Sequence, residues 1–110
     1  MKVKFTPNDE QRNQYMDLTP NNVYRVILLT NDEVVVMSDE GAPYSFPLDM
    51  FTVIDTQWPE DWIEITNDGE YRVTSKLFAE PDFFERVFDG DKKARMTLRK
   101  RLQYWRSGKD

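Results

Sequence analysis

A mainly β domain with α, built as a small antiparallel barrel of five to six strands followed by a C-terminal segment of two helices, is the fold this sequence predicts. Three observations predict it. Short runs rich in β-branched and aromatic residues recur between Val23 and Thr74, each bounded by polar residues. The boundaries carry turn chemistry: Asn31-Asp32, Asp39-Glu40-Gly41-Ala42-Pro43 and Asn67-Asp68-Gly69. Beyond Lys76 the apolar spacing changes from alternation to every third and fourth residue, the period of an amphipathic helix. A chain of 110 residues is one domain by size, with the barrel over about 18–75 and the helical tail over about 80–106.

The elements follow in order. Val3 and Phe5 alternate with Lys2 and Lys4, the pattern of a half-buried strand. Thr6-Pro7 reads as a cap followed by proline at the first helical position, opening a short, weakly apolar helix or turn through Tyr15. Leu18-Thr19-Pro20-Asn21-Asn22 turns the chain into the first barrel strand, Val23 to Leu29. Strand alternation puts Tyr24, Val26 and Leu28 on the core face and leaves Arg25 and Ile27 on the wetter one. Val34 to Met37 returns antiparallel. Gly41 permits positive φ and Pro43 cannot donate to a ladder, so the chain turns again before Tyr44-Ser45-Phe46. Leu48-Asp49-Met50 forms a single 3₁₀ turn, and Phe51 to Ile54 resumes as a strand. After a loop through Trp58-Pro59-Glu60-Asp61, Trp62 to Thr66 and Glu70 to Thr74 make the cleanest hairpin in the chain.

Glu80-Pro81-Asp82 opens the first tail helix, whose Phe83, Phe84, Val87 and Phe88 present a wide apolar face, and Gly90 ends it. Asp91 then caps a second helix with Ala94, Leu98, Leu102 and Trp105 on one stripe. The same two residues dispose of a metal reading of Asp89-Gly90-Asp91, which lacks the further acids of a calcium loop and is better explained as a helix stop and a helix cap. No metal and no cofactor is expected.

Absent residue types restrict the chemistry further. The chain has no Cys, hence no disulfide, thiolate ligand or cysteine nucleophile. It has no His, hence neither the usual general base nor the commonest metal ligand. With 4 Gly scattered singly there is no phosphate-cradling loop. Adjacent acids, Asp39 with Glu40 and Glu60 with Asp61, are the candidates for a carboxylate pair, but nothing in the sequence would tune them apart, and exposed turn acids are ordinarily solvated. No catalytic residue is assigned and the chain reads as a non-enzyme. It has no apolar run long enough to span a membrane, and Met1-Lys2-Val3-Lys4-Phe5 lacks the apolar core of a secretory leader, so a cytoplasmic location is expected.

Charge is segregated. Residues 1–91 hold 7 Lys/Arg and 19 Asp/Glu, whereas residues 92–110 hold 8 and 1. An acidic body argues against wrapping nucleic acid, whose binding is driven by counterion release to cations, and favours a basic partner. The basic second helix has a plain structural role available, laying its apolar stripe on the barrel while its charges face water and the acidic body. Aromatics are 14% of the chain. Trp58, Trp62, Phe83, Phe84, Phe88 and Trp105 are expected mainly at the seam between barrel and helices, with Trp58, beside a proline in a loop, the candidate for an exposed interface anchor.

Leu18-Thr19-Pro20, Tyr24-Arg25-Val26, Asp39-Glu40-Gly41-Ala42-Pro43-Tyr44, Phe51 and the run Phe83 to Asp91 together resemble small bacterial immunity-type (antitoxin) proteins built on a Src-homology-3-like barrel. The resemblance spans most of the chain. It implies a cytosolic, non-enzymatic antidote that binds a cognate toxin and blocks its active site, and it transfers no individual binding residue. The charge pattern points the same way, toward a basic toxin domain, with Asp32, Glu33, Asp39, Glu40, Trp58, Glu60 and Asp61 as the partner-binding residues and a monomer as the working unit. Two alternatives stand beside it: a nucleic-acid-associated barrel using the basic helix and stacking aromatics, and a phage or plasmid adaptor.

Overall fold

A computed structural model describes residues 1–106, with every side chain among them except those of Asn67, Trp105 and Arg106. Among the described residues are seven strands and three helices: β1 (Lys2–Phe5), α1 (Asp9–Gln14), β2 (Val23–Thr30), β3 (Glu33–Met37), β4 (Pro43–Pro47), β5 (Phe51–Asp55), β6 (Trp62–Asn67), β7 (Glu70–Ser75), α2 (Phe83–Phe88) and α3 (Lys92–Arg106). Two 3₁₀ turns, Leu48–Met50 and Lys76–Phe78, join strand to strand and strand to helix. The mainly β architecture with a helical tail is as expected. The strand count is higher than expected, because the N-terminal strand belongs inside the sheet rather than ahead of it.

All pairings are antiparallel, and the sheet runs β4-β3-β2-β1-β5, with β7 also on β2 and β6 on β7. The ladder does not return on itself among the described residues, so the closed barrel of the expectation is replaced by an open, branched sheet. The branch has a local cause in β2. The register slips between Val26 and Leu28 against β3, which inserts Ile27 as an extra residue. At that point β2 exchanges its partner: residues 23–25 face β1, and residues 28–30 face β7. The slip also overturns the expected alternation. Ile27, expected on the wet face, is fully buried with Val26 and Leu28. Its carbonyl accepts the Thr74 hydroxyl at 2.8 Å, which satisfies two buried polar groups at once.

Turns behave as their residues require. Asp68 and Gly69 sit at φ of 52° and 82°, the two positive values of a type I′ hairpin turn. The first helix starts two residues later than expected. Asn8 rather than Thr6 is its cap, and Asn8 and Gln11 form a reciprocal capping box, with Gln11 N–H on Asn8 Oδ1 at 2.8 Å and Asn8 N–H on Gln11 Oε1 at 3.0 Å.

The edge strand β4 is blunted. Ser38 N–H donates to Ala42 O and Leu48 N–H to Asp32 O, which fixes the alternation of the β3–β4 ladder so that residues 43, 45 and 47 turn their main chain outward. Two of these are prolines, so Ser45 carries the single outward N–H of this edge.

β3 is apolar on both faces, with Val34, Val35 and Val36 all buried. One continuous core runs from Val3 and Phe5 through β2 and β3 to Phe78, Phe83, Val87, Ala94 and Leu98. The seam to the helices is aromatic: the Phe78 ring stacks on Phe83 at 5.0 Å and meets Phe84 edge-on at 5.9 Å. Gly90, at φ of 92°, stops α2, and Asp91 Oδ1 caps α3 by accepting the Lys93 and Ala94 N–H groups at 2.9 and 3.1 Å. Of the expected α3 stripe, Ala94 and Leu98 are buried and Leu102 is half-buried; Trp105 lies outside the described side chains.

Candidate partner-binding surfaces

The seven residues expected to bind a partner do not form one surface. Asp32 lies in the β2–β3 turn and Glu33 opens β3, whereas Asp39 and Glu40 lie in the β3–β4 turn, at the opposite end of that five-residue strand. At about 3.3 Å per residue the two turns are roughly 15 Å or more apart. Trp58, Glu60 and Asp61 belong to the β5–β6 loop.

Two of the six carboxylates among them are structural fasteners. Asp39 accepts the Tyr24 phenol at 2.8 Å and the Thr19 hydroxyl at 2.6 Å, while the Thr19 N–H donates to the same phenol oxygen at 2.8 Å. This closed circuit ties the turn before β2 to the β3–β4 turn, and it explains why Tyr24 can be buried. Burial raises the Tyr24 phenol above its ordinary value and the neighbouring Asp39 carboxylate adds to that, partly offset by the Thr19 N–H. A group held neutral in the fold adds stability below its ordinary pKa and loses it as pH rises through the raised one. Tyr24→Phe is expected to cost about 1–2 kcal/mol at neutral pH, because it leaves Asp39 Oδ1 and the Thr19 N–H without the phenol. Urea melts measure the cost, and a Phe variant as stable as the parent would remove the circuit from the account.

Asp61, unlike the exposed Asp39, is committed inward. Its carboxylate accepts Ser75 Oγ on one oxygen and lies 2.8 Å from the Arg101 guanidinium on the other, and its carbonyl accepts the Lys76 N–H at 2.9 Å. Burial would raise this carboxyl, but the hydrogen bonds from Arg101 and Ser75 and the Arg101 charge outweigh it and hold the group below its ordinary value. The residue therefore clips α3 to the start of β6.

The rest, like Asp39, are exposed. Trp58, 38% exposed, stacks on buried Trp62 with ring centroids 6.4 Å apart, leaving its outer face to solvent. Glu40 and Glu60 are exposed. Asp32 and Glu33 meet Asp49, a residue the sequence reading did not single out, around an open concavity with Pro47 and Leu48. Ser45 donates to Glu33, and Thr30 steadies the turn by accepting the Glu33 N–H at 3.0 Å. No ion pair between described residues involves these three acids.

A second, more enclosed concavity of about 350 Å³ lies between the β3–β4 turn and the helices. Tyr44 and Phe88, 42% and 44% exposed, line it with Arg95 and Arg99. Phe88 was expected in the buried face of α2. A six-residue helix cannot turn four residues at i, i+1, i+4 and i+5 fully inward, and Phe83 and Val87 take the core while Phe88 stays in water. That width is the one signal in the sequence that pointed here. Among the described residues no group of three or more acids gathers as a metal site, and no helix is long and apolar enough to cross a membrane. In comparison with known proteins, the chain matches no family model, no curated protein and no solved structure.

Proposed function

We propose that this protein is a non-enzymatic protein-binding module of the antidote kind, which occludes the working surface of a basic partner with the acidic end of its sheet. The observation that carries the reading is the grouping of Asp32, Glu33 and Asp49, exposed and outside any ion pair between described residues, around a concavity floored by Leu48 and Pro47. Carboxylates already desolvated by internal cations have little left to give a partner, whereas these three keep their charge for one. The short turn and the 3₁₀ segment that carry them are fixed to each other by the Leu48 N–H on Asp32 O at 2.8 Å, so their spacing is set before a partner arrives. A basic toxin domain, for example one that handles nucleic acid, has the complementary surface.

The residue set for this contact is thus Asp32, Glu33 and Asp49, with Glu40, Glu60 and Trp58 as separate exposed positions and Asp39 and Asp61 reserved for the fold. The Asp32→Lys/Glu33→Lys double variant is expected to fold normally and to weaken binding of the partner recovered from the native host by about ten-fold or more at low salt, with a much smaller loss at high salt. Equal affinity of parent and variant at both salt concentrations would overturn the acidic-end reading.

A further inference from the structure

The groove beside the helices is opposite in sign to the molecule that holds it. The chain has 20 Asp/Glu against 15 Lys/Arg, yet no carboxylate lines this groove and two guanidinium groups do. Arg95 and Arg99 stand one turn apart on α3. Arg95 Nε donates to the Val87 carbonyl at 2.9 Å, which orients its head, and no ion pair between described residues uses either guanidinium. Buried Val87 and Leu98, with half-buried Met37, give the groove a carbon floor. The Tyr44 and Phe88 rings stand at its margin.

We propose that this groove docks an acidic peptide segment of a partner protein. One aliphatic or aromatic side chain of the segment sits over Val87 and Leu98 between Tyr44 and Phe88, and flanking carboxylates pair with Arg95 and Arg99. Three features select that occupant. A carbon floor flanked by two planar forks matches an apolar residue between carboxylates, and guanidinium groups pair with carboxylates in a two-point geometry. The volume, about 350 Å³, accommodates one to a few side chains rather than a polymer. A nucleic-acid strand needs a continued track of cations, whereas Glu40 directly precedes Gly41 and Asp89 directly follows Phe88 at the groove's margin. The segment is held by its side chains and not as an added strand, because Pro43 and Pro47 remove two of the three outward N–H groups from the adjoining edge.

The test is a fluorescence-anisotropy titration of the full chain with a labelled short peptide in which one Leu or Phe is flanked by Glu. The same peptide with Lys for Glu, and a labelled single-stranded oligonucleotide, run in parallel. Saturable binding of the acidic peptide alone, weakened about ten-fold by Arg99→Glu and similarly by Phe88→Ala, is the expected result. Both residues are exposed, so circular dichroism should show parent-like folding in both variants. The Asp32→Lys/Glu33→Lys variant should bind this peptide as the parent does, which separates this groove from the acidic end. No saturable binding of the acidic peptide, unchanged affinity in Arg99→Glu, or tighter binding of the oligonucleotide through the same residues would overturn the proposal. So would concentration-dependent self-association abolished by both Arg99→Glu and Asp32→Lys/Glu33→Lys, because the occupant would then be the acidic end of a second copy.

Discussion

Phe78→Ala is expected to destabilise the fold by about 3–5 kcal/mol, the largest effect of any single side-chain truncation argued for this chain. Phe78 is fully buried at the end of the 3₁₀ turn that leads from β7 into the helices. Its ring stacks on Phe83 at 5.0 Å, and Phe83 and Phe84 meet edge-on at 5.2 Å, so the three rings form one cluster in which each closes a side of the next. Truncation forfeits the transfer free energy of the ring and leaves a void that Phe83 and Phe84, fixed on α2, can fill only in part. Against a total stability of about 5–15 kcal/mol for a domain of this size, the loss places the variant near its unfolding threshold. Phe78→Leu, which restores most of the volume, should cost about 1–2 kcal/mol. Urea melts followed separately by far-ultraviolet dichroism and tryptophan fluorescence make the measurement. If helices and sheet form one cooperative unit the two probes fall together, and a loss below 1 kcal/mol for the alanine variant would show that the seam does not hold them.

How much of this was legible in the sequence depends on how local the determining interaction is. The β6–β7 turn was legible because Asp68 and Gly69 carry their own backbone preference, and the structure puts both at positive φ. The stop at Gly90 and the cap at Asp91 were legible for the same reason, since a cap acts over three residues. The place of β1 was not. Lys2 to Phe5 reads as a strand anywhere, and only pairing with residues 23–25 on one side and residues 51–55 on the other inserts it between β2 and β5. The face of Ile27 was hidden in the same way, by a bulge whose carbonyl is satisfied from Thr74, 47 positions away.

The candidate surfaces repeat the lesson with charges. In sequence Asp32, Asp39 and Asp61 are three turn acids of one kind. In the fold, Asp32 faces solvent, Asp39 receives a phenol from 15 positions upstream, and Asp61 meets a guanidinium carried by the tail. Composition exposed the segregation of charge but not its geometry. Asp32, Glu33 and Asp49 gather at one end of β3, and the arginine-lined groove opens at the other, beside the β3–β4 turn. A molecule polarised in this way has two separate surfaces of opposite sign, and attachment at two points would fix the orientation of a partner where one would not.

Breaking the clip between Asp61 and Arg101 tests whether that polarity rests on a rigid frame. The two side chains are 19% and 20% exposed, and the pair spans from the start of β6 to the last turns of α3. Asp61→Asn keeps the shape and can still accept from Ser75, but it leaves the guanidinium partly buried beside a neutral amide. Removing one partner of a buried pair costs about 3–5 kcal/mol, and with a fifth of each group in water the expectation here is about 2–4 kcal/mol. The sign of the pH dependence follows from the lowered carboxyl. The unfolded chain binds the proton first as pH falls, so the clip contributes fully above the ordinary value near 3.8 and is lost as pH falls through the lower folded value. The parent should therefore lose stability across that acid window more steeply than Asp61→Asn, and the two should converge once the carboxyl is protonated in both states. Replacing both residues with leucine should recover part of the loss, since an apolar pair carries no unpaired charge into the seam. A difference between parent and Asp61→Asn that stays constant from neutral pH down through the acid window would mean that the asparagine acts through packing or through Ser75, and the ion pair would then not be what holds α3 to the sheet.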